Sequence, residues 1–128
     1  MLLRLAIAMA VVLAGFVGYR LWKSPPRRLQ RLHLRELGVA GPAIVQFSSN
    51  GCAPCRAARP KLIALADEAG VPYRQIELDD WPDVAGRYGI RTVPTIAVTG
   101  GNGEVVGVWT RLPEDGEIAE TARRAAAA

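Results

Sequence analysis

Cysteine and histidine are scarce in this chain of 128 residues: two of the first, Cys52 and Cys55, and one of the second, His33. A structural zinc site takes four ligands, drawn mainly from these two residue types. Three such side chains cannot close one, so a metal centre would need a second chain. Acidic side chains are missing altogether from residues 1–35, which hold seven Arg and Lys. Residues 36–128 carry nine basic and twelve acidic side chains, a balance of −3. The pI near 9.6 therefore belongs to the front of the chain, and the remainder is mildly acidic. That distribution suits a topology signal or lipid contact and excludes a nucleic-acid face. Internal repeats are absent as well, and the only low-complexity piece is the closing run of alanines.

Long apolar runs are limited to one. Leu5 to Tyr19 carries no charge over 15 residues, short of the roughly 20 that a membrane span needs. Extending it from Leu2 to Trp22 gives 21 residues, or about 31 Å of helix. Arg4 and Arg20 can snorkel to the headgroups, and Tyr19 and Trp22 suit the interface. A cleaved signal peptide shares this apolar core. Its best small-residue site, Val12-Leu13-Ala14, would cut inside the run, and Leu13-Ala14-Gly15-Phe16 lacks the cysteine of a lipid-modified start. The reading is thus an uncleaved transmembrane anchor over 1–22, a basic linker over 23–30 and one domain over 31–128. In the linker Pro25-Pro26 stops the helix, and repulsion among the arginines extends the chain.

Within the domain, "RLHLREL" (31–37) alternates like a short edge strand. "AIVQFSS" (43–49), bounded by Gly41-Pro42 and Asn50-Gly51, reads as a buried central strand. A helix is predicted from Ala53 to Ala69, with Leu62, Ile63, Leu65 and Ala66 on its buried face, a kink at Pro60 and closure at Gly70. "YRQIELD" (73–79) alternates as a strand. Asp80, followed by Trp81 and Pro82, reads as an N-cap opening a helix to about Tyr88. "TIAVT" (95–99) and "EVVGVWT" (104–110) form a hairpin across Gly100-Gly101-Asn102-Gly103. Pro113 and Glu114 open a last helix that carries Arg123 and Arg124 near its end. The fold class is α/β: a mixed central sheet of four to five strands flanked by helices, preceded by one N-terminal transmembrane helix.

The chemistry concentrates in "GCAPCR", residues 51–56. The thiolate, not the thiol, attacks a disulfide. Cys52, just ahead of a helix, meets that helix's unpaired N–H groups and positive dipole end. Such positions lower a cysteine pKa into a range of about 3.5 to 7.5. Cys55, one turn on and more buried, stays protonated until it resolves the mixed disulfide. Pro54 needs no N–H partner in a first turn, and Arg56 reads as a solvated surface residue. A staple across two intervening residues closes too small a loop to stabilise a domain much. On these grounds a redox couple is favoured over a half metal site or a structural staple.

A second stretch, "YGIRTVPTIAV" (88–98), puts an apolar residue and a proline ahead of a strand, some forty positions after the cysteines. With it the chain resembles the thioredoxin family. "AIVQFSSNGCAPCRAARPKL" is similar to the family's strand–CxPC–helix block, including the kinking proline at Pro60. "ELDDWPDVAGRYGIRTVPTIAV" is similar to its third strand, helix and cis-proline strand, and "NGEVVG" to the hairpin that follows. The likeness covers about residues 30–125. It implies a thioredoxin-like fold and a thiol–disulfide oxidoreductase with Cys52 attacking and Cys55 resolving. It implies a cis-proline at Pro94 facing the cysteines. Substrate would lie against Val93, Pro94, Gly51, Ala53 and Pro54, with Val93 offering backbone hydrogen bonds. No metal and no cofactor are implied.

Four departures set the chain apart from a general reductant. Gln46 stands where the family usually buries an aspartate that accepts the proton of the resolving cysteine. Gln75 stands for the lysine often paired with it. Gly51 replaces a tryptophan, and Ala53 replaces the glycine of CGPC. The family's first helix is cut to little more than "LRELGV". Trp81 and Trp109 read as packing or hairpin residues, Glu77, Asp79, Asp80 and Asp83 as helix capping and solvated surface, and Asp67-Glu68 as a helix end without a role.

The expected partners are protein disulfide substrates, an upstream thiol reductant and the lipid bilayer through the N-terminal helix, with no nucleic acid and a monomeric chain. Arg20, Lys23, Arg27, Arg28 and Arg31 outweigh Arg4 and the amino terminus, which sets the domain on the cytoplasmic face. The resemblance points to the extracytoplasmic face as the alternative. A rival reading from a different class is a non-catalytic thioredoxin-like binding module that docks a membrane or envelope partner, its cysteines incidental.

Overall fold

The computed structural model describes residues 1–23, 33–114 and 116–127. Apart from Lys23, the expected linker lies outside the described residues. The first helix, α1 (Leu2–Trp22), is one continuous apolar rod with none of its residues buried. Its 21-residue length and apolar composition make it long and apolar enough to cross a membrane.

The domain is built on β1 (Ala43–Ser48), α2 (Ala53–Ala69), β2 (Tyr73–Glu77), α3 (Val84–Tyr88), β3 (Thr95–Thr99), β4 (Val105–Trp109) and α4 (Glu117–Ala127). Its four strands lie in the order β2-β1-β3-β4. β1 and β2 run parallel, joined by the α2 crossover, whereas β1–β3 and β3–β4 are antiparallel. All six residues of β1 and all five of β3 are buried, which is why each reads as a continuous apolar run: both faces of a central strand are covered.

The pleat sends alternate β1 residues to opposite layers. Ala43, Val45 and Phe47 join Ile76, Val84, Tyr88, Ile90, Ala97 and Val108 beneath α3. Ile44 faces the other way, with Ile96 and Val98, against Ala58, Leu62 and Ala66 of α2 and Ile118 and Ala122 of α4. The buried stripe of α2 is Cys55, Ala58, Leu62, Ala66 and Ala69, a helical spacing that carries the second cysteine down toward the sheet. Ile63, expected in that stripe, is exposed instead, because it lies a full 100° round from Leu62. At the helix end the Val71 N–H reaches Ala66 O at 3.0 Å across Gly70, a Schellman closure.

Three boundaries differ from the sequence reading. The expected edge strand at 31–37 is a single antiparallel bridge, His33 to Glu104, followed by a 3-10 turn over Arg35–Leu37; residues 31 and 32 lie outside the described residues. Among the described residues the sheet therefore has four strands. Leu34, fully buried, anchors this segment through its N–H to Gly103 O at 2.9 Å. Gly103 permits the approach: its φ is +78°, and a Cβ there would sit 2.3 Å from Val39 O. Asp80 is not the cap of α3, which begins at Val84 after Asp83. Turns at Asp80 and Trp81 bond back to Glu77 and Leu78 and use up the stretch expected to be helical. Pro113 and Glu114 likewise precede α4, which starts at Glu117.

Candidate active site

The cysteine loop links the end of β1 to the start of α2. Its turn needs a left-handed residue, and Gly51 supplies it at φ +77°. That backbone requirement accounts for glycine before Cys52: a side chain there meets open space but a strained backbone. Cys52 is the N-cap of α2, extended in backbone, with Pro54 in the first turn. Its carbonyl accepts the Arg56 N–H at 3.3 Å, and its Sγ accepts the Cys55 N–H at 3.2 Å. A helix start normally leaves such N–H groups unsatisfied; here sulfur takes the place of a Ser or Asp oxygen. The two cysteines are joined as a disulfide with Cα atoms 5.3 Å apart. Cys52 is half-buried beside exposed Gly51, Ala53 and Pro54, while Cys55 is 5% exposed. The first cysteine is partly exposed and the second is buried.

The Val93–Pro94 peptide bond is cis, and both residues are half-buried at the start of β3. Register brings this loop to the motif: Phe47 pairs with Thr95, so the end of β1 that feeds the cysteine loop lies beside the end of β3 that follows Pro94. Thr95 Oγ1 donates to Thr92 O at 2.7 Å and fixes the loop's exit. Of the expected site residues, Gly51, Cys52, Ala53, Pro54 and Cys55 thus share one turn, and Val93 and Pro94 stand on the adjacent strand end.

Beneath the motif lies a polar patch. Gln46, 1% exposed, donates from Nε2 to Cys55 O at 2.9 Å and accepts from the Tyr73 hydroxyl. Burial pushes the Tyr73 phenol above its ordinary value of 10.0, against a smaller opposing effect of Arg59. Gln46 and Gln75 are register partners, yet each bonds elsewhere: Gln75 Nε2 donates to Ser48 Oγ at 3.0 Å, and Ser48 Oγ donates to Glu77 Oε2 at 3.1 Å. Asp79 Oδ2 accepts the Asn50 N–H at 2.6 Å and ties the cysteine loop to the end of β2. Asp79 is exposed, as expected of it, yet ties down the cysteine loop, whereas half-buried Glu77 departs from the solvated surface expected. Sequence reasoning missed Ser48, Tyr73, Glu77 and Asp79; the period-2 spacing of Tyr73, Gln75 and Glu77 was the available signal. Trp109 packs on the α2 side of the sheet as expected, whereas Trp81 is 46% exposed. Glu68 pairs with Arg123 at 3.2 Å, and both side chains are solvated.

Gln46→Leu should show what the amide contributes. It removes the amide's bond to the Cys55 carbonyl and leaves the Tyr73 hydroxyl without its acceptor, at an expected cost of about 1–3 kcal/mol in urea unfolding. An unchanged midpoint at unchanged slope would mean that the clamp on the first turn of α2 contributes nothing.

Comparison with known proteins agrees with this geometry. Residues 34–122 match the family model described as Thioredoxin. Thioredoxin of Porphyra purpurea is 37% identical over 59 residues, covering 44% of this chain and 55% of the relative. The chloroplastic thioredoxin M4 of Arabidopsis thaliana is 36% identical over 76 residues, covering 58% and 39%. The chain spans about half the length of such curated relatives. The structure of Fasciola hepatica thioredoxin superposes with a TM-score of 0.57 at 27% identity, covering 72% of this chain and 88% of that one. With the family model matched from Leu34 to Ala122, on a sheet and cysteine loop of the same kind, this chain belongs to the thioredoxin family.

Proposed function

We propose that the chain is a membrane-tethered thiol–disulfide oxidoreductase that reduces protein disulfides by dithiol exchange. The observation that carries this reading is the N-cap position of Cys52, its sulfur accepting the Cys55 N–H at 3.2 Å beside solvent. In the reduced protein the same N–H groups and helix dipole stabilise a thiolate at Cys52. That thiolate attacks one sulfur of the substrate disulfide, and the other sulfur leaves as a thiol. Cys55 then attacks Cys52 Sγ, the substrate's second sulfur departs, and the disulfide seen here remains for an upstream thiol reductant to open. The cis-proline loop and the exposed Gly51, Ala53 and Pro54 line the approach to Cys52, with the Val93 backbone available to an extended substrate segment.

The full-length protein in detergent, supplied with dithiothreitol, is expected to reduce a protein disulfide catalytically, and Cys52→Ser to abolish that turnover. Equal rates for wild type and Cys52→Ser would leave a binding module as the better reading. The basic flank after α1 supports the cytoplasmic face for the domain. Labelling of Cys52 in intact cells by a membrane-impermeant maleimide would reverse the assignment.

A further inference from the structure

Cys55 lies buried on the underside of α2, and as a thiol it must lose a proton before it can attack. By strand alternation six side chains of β1 and β2 share the sheet face turned toward α2: Ile44, Gln46 and Ser48, all buried, and Tyr73, Gln75 and Glu77, of which Gln75 is exposed. Two are amides, one is aliphatic and one is a hydroxyl. The fifth, Tyr73, holds its phenolic proton more tightly than usual because of burial. Glu77 is the one carboxylate among them. Its two oxygens differ: Oε2 accepts from Ser48 Oγ at 3.1 Å, while Oε1 is buried with no hydrogen-bond partner. A buried carboxylate oxygen without a donor is costly, which marks a group kept for a purpose other than stability.

Ser48 connects this carboxylate to the motif. It is 2% exposed and lies four residues before Cys52, two beyond Gln46, whose own side chain already touches the Cys55 carbonyl. Its hydroxyl gives its proton to Glu77 and accepts one bond from Gln75, leaving a second lone pair.

We propose that Glu77, held by Ser48, is the proton acceptor for Cys55 in the resolving step, a role that rests on the exchange reading above. The Cys55 S–H proton passes by way of the Ser48 hydroxyl and solvent to the Glu77 carboxylate. The freed thiolate attacks Cys52 Sγ; the Cys55–Cys52 bond forms as the bond from Cys52 to the substrate sulfur breaks, and the electron pair leaves with that sulfur. The substrate disulfide is reduced by two electrons and the cysteine pair oxidised by two. The charged and phenolic groups on the elements around Glu77 are Tyr73 and Arg74 on its own strand, Asp79 and Asp80 after it, and Arg56, Arg59, Lys61, Asp67 and Glu68 on α2.

Reaction of the reduced full-length protein with 5,5′-dithiobis(2-nitrobenzoate) separates the steps, because capture and resolution each release one coloured thiolate. Glu77→Gln is expected to leave the first release unchanged and slow the second by about 100-fold near neutral pH. It should also erase the carboxylate inflection from the pH profile of the second release, while Glu77→Asp keeps it. Ser48→Ala is expected to move that inflection upward, since it removes a hydrogen bond from the ionised form. An unchanged second release in Glu77→Gln overturns the inference. Should that variant not fold, an unmoved inflection in Ser48→Ala does so. Absence of the first release from the wild type would count against the exchange reading instead.

Discussion

Replacing Cys55 by serine is expected to halt exchange at its midpoint, with substrate held covalently on Cys52. The expectation follows from the unequal exposure of the two sulfurs. Cys52 caps the helix beside exposed neighbours, whereas Cys55 is 5% exposed and faces the sheet. Capture depends on the first sulfur alone and should proceed at close to its normal rate in Cys55→Ser. Release needs a thiol within reach of Cys52 Sγ, and one helical turn away the serine hydroxyl is far too weak a nucleophile to serve. Turnover of a protein disulfide should fall below detection, and one substrate per chain should accumulate. Mass spectrometry under non-reducing conditions would count it, and dithiothreitol would remove it. Cys52→Ser should give no adduct, because the remaining sulfur is covered. An adduct in Cys52→Ser, or wild-type turnover in Cys55→Ser, would reverse the assignment of the two roles.

How far the sequence reveals this protein depends on which forces set each element. β1, α2 and the β3–β4 hairpin stand within a residue or two of their expected limits. Each is delimited by residues with a backbone reason to be there: Gly41-Pro42 before β1, Cys52 and Gly70 at the two ends of α2, the glycine-rich turn between β3 and β4. The misplaced segments lack such markers. "RLHLREL" alternates, but Leu34 and Leu37 are also three apart, and a 3-10 turn buries the first and packs the second without a strand partner. Asp80-Trp81-Pro82 has the composition of a helix start, yet the Asp80 and Trp81 N–H groups bond three residues back, to Glu77 and Leu78, in consecutive turns that the same composition also suits.

The site divides in the same way. The cysteines, Pro54 and the cis-proline are legible because each belongs to a local pattern. The support beneath them is not, since Gln46 to Tyr73, Ser48 to Glu77 and Asn50 to Asp79 join residues 27 to 29 positions apart. Those pairs become visible only once the parallel register of β1 and β2 is fixed. That register also changes what the two neutral amides mean. Gln46 and Gln75 stand side by side but do not form a pair: one clamps the backbone of α2, and the other orients Ser48 toward Glu77. Loss of charge at position 46 thus coexists with a carboxylate two register steps nearer the mouth of the cysteine loop.

Phe47→Ala should cost more stability than any other single change in the sheet. Phe47 is fully buried and is the largest such side chain among the described residues. It sits on the central strand, with Ile76 of β2 on one side and Thr95 of β3 on the other, and belongs to the layer completed by Leu34, Val84, Tyr88 and Ile90. Strands on both sides and a helix above leave little room for collapse, so both the lost transfer energy and the cavity count. Together they amount to about 3–5 kcal/mol, a large share of the roughly 5–15 kcal/mol that holds a domain folded. The melting temperature should fall by at least about 12 °C. Val106→Ala on β4 is the control: its side chain is 47% exposed, and its cost should stay within about 0.5 kcal/mol. Urea unfolding at constant slope measures both. Because Phe47 points away from α2, Phe47→Ala kept below its melting range should retain exchange activity, whereas Gln46 and Ser48, facing the motif, couple stability to rate. A Phe47→Ala variant as stable as Val106→Ala would show that the layer beneath α3 does not hold the sheet together.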